Sequence, residues 1–204
     1  SFKANQGETV AFIGSTGSGK STLINLVPRF YDVTDGEVLI DGINVKDYDL
    51  ELLHNKIGYV PQKAVLFNGT VSSNVAYGEN GAGSITEEKI KEAIKVAQGT
   101  EFVEKMEDTY QAHVAQGGTN VSGGQKQRLA IARAIARDPE IYIFDDSFSA
   151  LDYKTDSILR HELKKYTKKA TSLIVAQRIG TIMNADKIIV LDKGKCVGMG
   201  THEE

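Results

Sequence analysis

The 204-residue sequence predicts an α/β domain, a parallel sheet with helices on both faces. Three observations carry that expectation. Thr9-Val10-Ala11-Phe12-Ile13 is a short apolar run that meets a glycine-rich turn and then a helical stretch. Ile141-Tyr142-Ile143-Phe144 is a second continuous apolar run, as a strand covered on both faces requires. At both ends of the chain, strand-like and helix-like segments alternate, the pattern of parallel βαβ connections.

The elements follow in order. After the first strand and helix, Asp35-Gly36 and Asp41-Gly42 bracket a strand at Glu37-Val38-Leu39-Ile40. Asp49 to His54 reads as a short helix, and Ile57-Gly58-Tyr59-Val60 as a strand ended by Pro61-Gln62. A loop rich in Gly and Asn, Tyr77 to Ser84, precedes Thr86-Glu87-Glu88-Lys89, an N-cap with an acidic first turn. Ile90, Ala93, Ile94 and Ala97 then fall on one helical face. A second helix runs from Ser122 to about Arg137, where Asp138-Pro139 stops it. The strand at Ile141 follows, then a helix from about Lys154 to Tyr166 and a strand from Ser172 to Ala176. A short helix near Ile179 to Asn184, a strand from Lys187 to Leu191, the Lys193-Gly194 turn and a strand from Lys195 to Val197 complete the chain. The organisation is one domain over 1–204, with a core of about 1–65 and 135–204 and a helical insertion of about 66–134.

Composition narrows the function classes. Hydrophobic residues at 41% and charged residues at 25% give an ordinary globular balance, enough for a real core. A net charge of −3 without a long basic run argues against nucleic acid as a partner. Cys196 is the sole cysteine, so no internal disulfide forms, and a reducing compartment is expected. No apolar run approaches the roughly 18 residues of a membrane helix. The abrupt start, with the first strand almost at Ser1, suggests a fragment. Lys164, Lys165, Lys168 and Lys169 read as a solvated helix end, and His54, His113, His161 and His202 lack ligand spacing.

The chemistry begins at Gly14-Ser15-Thr16-Gly17-Ser18-Gly19-Lys20-Ser21, with Thr22 next: G-x-x-x-x-G-K-S between a strand and a helix. Glycines allow backbone N–H groups to turn inward around phosphate oxygens. The helix start adds a positive dipole end, Lys20 a mobile charge, and Ser21 a hydroxyl for Mg²⁺. This is the phosphate-binding P-loop, and it makes the fold class a P-loop NTPase (RecA-like). The run from Ile141 ends in Asp145 and Asp146. Mg²⁺ takes octahedral oxygen ligands, and an Asp at that strand end, Asp145, suits it; the same acids also suit a cap on the following loop. Ser122-Gly123-Gly124-Gln125 has capping-box spacing, and its bare glycines suit an anion.

These motifs, in this order and with Ser149-Ala150-Leu151-Asp152 after them, resemble the nucleotide-binding domain of an ABC transporter over nearly the whole chain. Tyr59-Val60-Pro61-Gln62, Leu66-Phe67-Asn68-Gly69-Thr70-Val71, Asn74-Val75-Ala76-Tyr77-Gly78 and Ala185 to Leu191 are similar to the exporter subfamily, as is Gly200 to Glu204. The resemblance implies ATP and Mg²⁺ as cofactors and a head-to-tail dimer of two such domains. Lys20 and the amides of residues 15–19 hold phosphates, and Ser21 and Asp145 hold Mg²⁺. By the same resemblance, Gln62 is expected to contact Mg²⁺ and the attacking water. Ser122 and Gly124 reach the partner's γ-phosphate, and Asp152 lies at the dimer seam. The resemblance further implies that transmembrane domains outside these residues complete the transporter and that this domain lies on the cytoplasmic face of the cell membrane. The resemblance also implies a small antiparallel subdomain, incomplete here, and an adenine-stacking aromatic residue upstream of Ser1.

Two positions depart from the pattern. The family has Glu where Asp146 stands, and His where Gln177 stands. Asp is a methylene shorter, and a general base must lie within about 2.6–3.2 Å of its water. Gln donates a neutral hydrogen bond and cannot carry the charge of a protonated His. Together they resemble the degenerate half of a heterodimeric bacterial multidrug exporter, which binds ATP and cleaves it slowly. The alternatives on the same residues are a fully active homodimeric exporter ATPase and an ATP-gated module without a transport role.

Overall fold

The computed structural model describes residues 1–78, 81 and 83–204. The loop expected from Tyr77 to Ser84 runs through residues 79, 80 and 82, which lie outside the described residues.

Strand β1 (Thr9–Gly14) leads into helix α1 (Lys20–Asn25). The ladder of β2 (Leu39–Ile40) and β3 (Ile43–Asn44) and helix α2 (Leu50–Asn55) precede β4 (Ile57–Val60). Next come β5 (Gly69–Thr70), α3 (Val71–Val75), α4 (Glu87–Val96), α5 (Thr100–Glu104), β6 (His113–Val114) and α6 (Gly123–Ala136). The chain finishes with β7 (Ile141–Asp145), α7 (Tyr153–Tyr166), β8 (Thr171–Val175), α8 (Ile179–Ile182), β9 (Lys187–Asp192) and β10 (Lys195–Gly200).

The main sheet has the order β10-β9-β1-β8-β7-β4. All pairs are parallel except β9 with β10, which form an antiparallel hairpin with a register shift between Cys196 and Gly198. β1 lies between β8 and β9 and β7 between β8 and β4, so both carry neighbours on either side. That placement explains their apolar runs: Val10, Ala11, Phe12 and Ile143 are fully buried. Alternate residues serve opposite faces. Val10, Phe12 and Ile143 pack with Ile24 of α1 on one side; Ala11, Tyr142 and Phe144 pack with Leu129 and Ile131 of α6 on the other.

Most elements match their expected positions, with three corrections. The strand expected over Glu37–Ile40 narrows to Leu39–Ile40, which among the described residues pairs with β3 alone. The last strand extends past Val197 to Gly200, because it pairs with β9 along that length. The insertion is not purely helical, since β5 and β6 form a two-residue antiparallel ladder. Helix α4 follows its pattern: Thr86 accepts a hydrogen bond from Lys89 N, and Ile90, Ala93, Ile94 and Ala97 are buried where α4 packs on α6.

Candidate functional site

The P-loop leaves the C-terminal end of β1 and closes on the first turn of α1. A side chain at Gly14 would place its Cβ 2.3 Å from the Leu191 carbonyl oxygen and 2.6 Å from Ser18 Oγ, so only glycine fits. Gly19 caps α1 at φ 98°, ψ 12°, in the left-handed region, and supplies no side-chain cap. The first amides of α1 therefore stay available for an anion. Lys20 is buried. Its Nζ donates to the carbonyls of Gly14 (2.6 Å) and Ser15 (3.0 Å), which holds the ammonium inside the loop. Ser15, Thr16, Gly17, Ser21 and Thr22 are exposed on the mouth of this loop, and Ser18 is buried beneath it.

The sheet brings β7 to the same edge. Ser21 Oγ donates to Asp145 Oδ1 at 2.9 Å, across 124 residues of sequence. Tyr59, at the end of β4, donates to Asn25 Oδ1 at 2.9 Å and lies 3.5 Å from Asp145 Oδ2. Burial and the adjacent carboxylate push its phenol up to about 12, so the hydroxyl is a fixed donor. Tyr59 has no signal in the sequence beyond its place before Val60-Pro61-Gln62.

Asp146 turns out of β7 at φ 51°, in the left-handed region that Asp tolerates better than most residues. Its amide donates to Val175 O (2.8 Å), and its carboxylate accepts a hydrogen bond from Gln62 Nε2 at 3.1 Å. Burial raises the Asp146 carboxyl above the usual range, and the charge of Asp145 adds to that; Arg178 and Lys20 oppose it. Gln177 is exposed just beyond β8. With Ile13, Gly14, Ser15, Thr16, Ala176, Ile179 and Ile182 it lines a cleft of about 320 Å³ beside the P-loop. Asp146, Gln62, Gln177, Lys20 and Asp145 thus gather at one end of the sheet, though they come from four separate segments.

Ser122-Gly123-Gly124-Gln125 lies apart from that cluster. The capping box is complete: Ser122 N donates to Gln125 Oε1 (3.0 Å), and Gln125 N donates to Ser122 Oγ (3.1 Å). Ser122 and Gly123 are exposed, and a Cβ at Gly123 would meet nothing within 4 Å. Asp152 caps α7, accepting from Thr155 N (2.9 Å) and Thr155 Oγ1 (2.7 Å), and these bonds hold its carboxyl below the usual range. Gly124 lies close to Ala150, so the Ser122 helix start and the Asp152 segment are neighbours. α6 is tied back to the site by buried Gln127, whose Nε2 donates to Pro61 O at 3.0 Å, one residue before Gln62.

The residues present suit a magnesium nucleotide. The Gly17 position opens on free space, Lys20 offers a cation beneath it, and a hydroxyl paired with a carboxylate is the hard oxygen donor set that Mg²⁺ favours.

These features define a P-loop NTPase of the ABC fold. Residues 1–149 match the family model described as ABC transporter, and the chain belongs to that family. It is 52% identical over 203 residues to an uncharacterised ABC transporter ATP-binding protein of Mycobacterium tuberculosis (strain ATCC 25618 / H37Rv), covering 100% of this chain and 34% of the relative. It is 48% identical over 199 residues to a protein of Staphylococcus aureus (strain NCTC 8325 / PS 47), provisionally named a multidrug export ATP-binding/permease protein, covering 98% of this chain and 34% of that relative. The solved structure of a bacterial Atm1-family ABC exporter with ATP bound superposes with a TM-score of 0.93 at 36% identity, over 99% of this chain and 35% of that one. The chain therefore spans about a third of the length of the relatives it matches.

Proposed function

We propose that this chain is a MgATP-binding motor domain of an ABC exporter, working on the cytoplasmic face of a membrane beneath transmembrane domains. The observation that carries the reading is the Ser21–Asp145 hydrogen bond at 2.9 Å, which joins the P-loop to the strand-end carboxylate. Mg²⁺, when bound, would supply positive charge against that of the phosphates. Lys20 and the amides of residues 15–19 hold the phosphates. Ser21 and Asp145 supply oxygen ligands, with Gln62 beside them. Tyr59, which donates to Asn25, lies 3.5 Å from the Asp145 carboxylate.

In this reading Asp146 is the base that accepts the proton of the attacking water, and Gln177 donates a hydrogen bond from across the cleft. Both favour slow chemistry. Asp146 is short, and Gln62 already occupies one of its oxygens. A misplacement of about 1 Å costs on the order of 100-fold in rate. Gln177 brings no positive charge to the developing negative charge. We further propose that the working unit pairs this chain with a non-identical nucleotide-binding domain. Ser122, Gly123, Gly124, Gln125 and Asp152 of this chain then complete the partner's more competent site.

The test separates binding from turnover. MgATP affinity and steady-state hydrolysis are measured for the protein alone and with the partner domain. The reading expects binding in both cases, slow turnover alone and faster turnover in the mixed pair. Ordinary ATPase rates from this protein alone would overturn the slow-site assignment and leave the nucleotide-binding assignment intact.

A further inference from the structure

Gln177 is followed by Arg178, whose guanidinium turns away from the cleft and into the segment between β7 and α7. Its NH1 donates to Leu151 O at 2.9 Å, with longer contacts to Asp156 Oδ2 (3.4 Å) and Phe148 O (3.5 Å). Its NH2 donates to Ser149 O at 3.0 Å. The same guanidinium lies 4.6 Å from the centre of the Tyr153 ring. Three carbonyls of a four-residue stretch without regular structure thus converge on one planar cation. Ser149 in turn donates through Oγ to Asp146 O at 3.0 Å, and Asp152 begins the next helix. Asp156, almost wholly buried, accepts from Arg160 Nε at 2.7 Å, and Arg160 NH1 donates to Gly180 O at 2.6 Å. The segment after β8 is therefore gripped from two sides by the segment after β7 and by α7.

We infer that Arg178 is a positioning residue that locks Gln177, at this chain's own nucleotide cleft, to the Ser149–Asp152 segment, so that the two move as one body. The inference rests on the nucleotide-binding reading above. Its physical basis is the fork geometry of arginine: two N–H groups reach two carbonyls at once, while a lysine ammonium is a single point donor. With the clamp intact, any shift of Asp152 against a partner domain is delivered to Gln177 without slack. Without it, MgATP still binds, because neither Lys20, Ser21 nor Asp145 touches Arg178, but the groups around the γ-phosphate are no longer held in step.

The experiment uses the intact protein without the second nucleotide-binding domain, so that the slow turnover measured is that of this chain's own cleft. ATP turnover, KM for MgATP, equilibrium MgATP affinity and backbone hydrogen exchange over residues 147–153 and 176–180 are compared for wild type, Arg178→Gln and Arg178→Lys. For Arg178→Gln the expected result is a kcat lowered at least about tenfold, KM and affinity within twofold of wild type, and faster exchange in both segments together. Arg178→Lys keeps the charge and falls between the two. A folded Arg178→Gln with wild-type kcat, or with kcat and affinity falling in proportion, overturns the clamp. So does exchange that rises in one segment alone. If Arg178→Gln does not fold, Arg178→Lys decides: an unchanged kcat in that variant refutes the need for the fork. Failure of wild type to bind MgATP would instead overturn the nucleotide-binding reading, which marks the two failures apart.

Discussion

Two helix starts in this chain are proposed above to take anions, and they are built differently. α1 begins at Gly19 in a left-handed conformation with no side-chain cap, over a buried lysine. α6 begins at Ser122 with both bonds of a capping box made. The first leaves its helix-end donors bare and surrounds them with groups from its own chain: Asp145 through Ser21, then Gln62, Asp146 and Gln177. The second satisfies its own first turn and presents exposed Ser122 and Gly123 outward. A site completed from within can be read from one chain. In the proposed pairing, the second helix start serves a surface that the partner domain brings to it.

Restoring the base and the switch residue tests the comparison with the largest expected effect. Asp146→Glu combined with Gln177→His should raise turnover of the protein by about 10- to 100-fold, read as steady-state phosphate release. No gain from the pair would mean that these two residues do not set the rate. The left-handed backbone at Asp146 opposes the change, since a longer side chain is less welcome at φ 51°. A modest fall in thermal midpoint should therefore accompany the gain.

Lys20→Met keeps the buried stem and removes the charge. The loss of a charge-assisted contact is expected to weaken MgATP affinity on the order of 10- to 100-fold, measured by equilibrium binding of a fluorescent nucleotide. Ser122→Ala sharpens the contrast, because it should leave that affinity within twofold. It removes an N-cap, a loss of about 1 kcal/mol that lowers the melting temperature by about 2–4 °C. Turnover of the mixed pair should fall as well. If Ser122→Ala weakened nucleotide binding by this chain alone, the division between an internal and an external site would be wrong.

The smallest effect concerns pH. The Asp146 carboxyl is raised in the folded state, chiefly by burial and then by Asp145. A raised carboxyl is a cost to the folded state while it is ionised, above its folded pKa, and the cost fades as pH falls and the group takes up a proton. Asp146→Asn should therefore be slightly more stable than wild type at neutral pH, by less than about 1 kcal/mol. The difference should shrink as the pH of a thermal-melt series is lowered through the carboxylate range. A gap that widens on acidification would contradict this assignment.

Much of the site was legible because its residues sit in short motifs with local causes. The glycines at 14 and 19, Lys20 and Ser21 answer to the geometry of a single strand-loop-helix unit. The same holds for the N-caps at Thr86 and Ser122, each of which accepts a bond from an amide three residues on. Tyr59, Gln127 and Arg178 were not legible. Each acts on a group at least 27 residues away or in another segment, so nothing within a window of sequence marks it. Arg178 had one available signal, its place directly after Gln177. Gln62 was legible only through the family resemblance, since a polar residue after a proline has no chemistry of its own.

By itself, the sequence determined the strands, the helix starts and the residue types of a phosphate-binding loop. Those depend on the spacing of apolar residues and on hydrogen bonds between near neighbours. The tertiary structure alone decided that Ser21 meets Asp145, that Gln62 holds Asp146, and that Gln177 borders the P-loop cleft while Arg178 points the other way. The reason is the strand order. Placing β1 beside β8 and β8 beside β7 brings three distant strand ends to one edge, and that order is fixed by the burial of both sheet faces together.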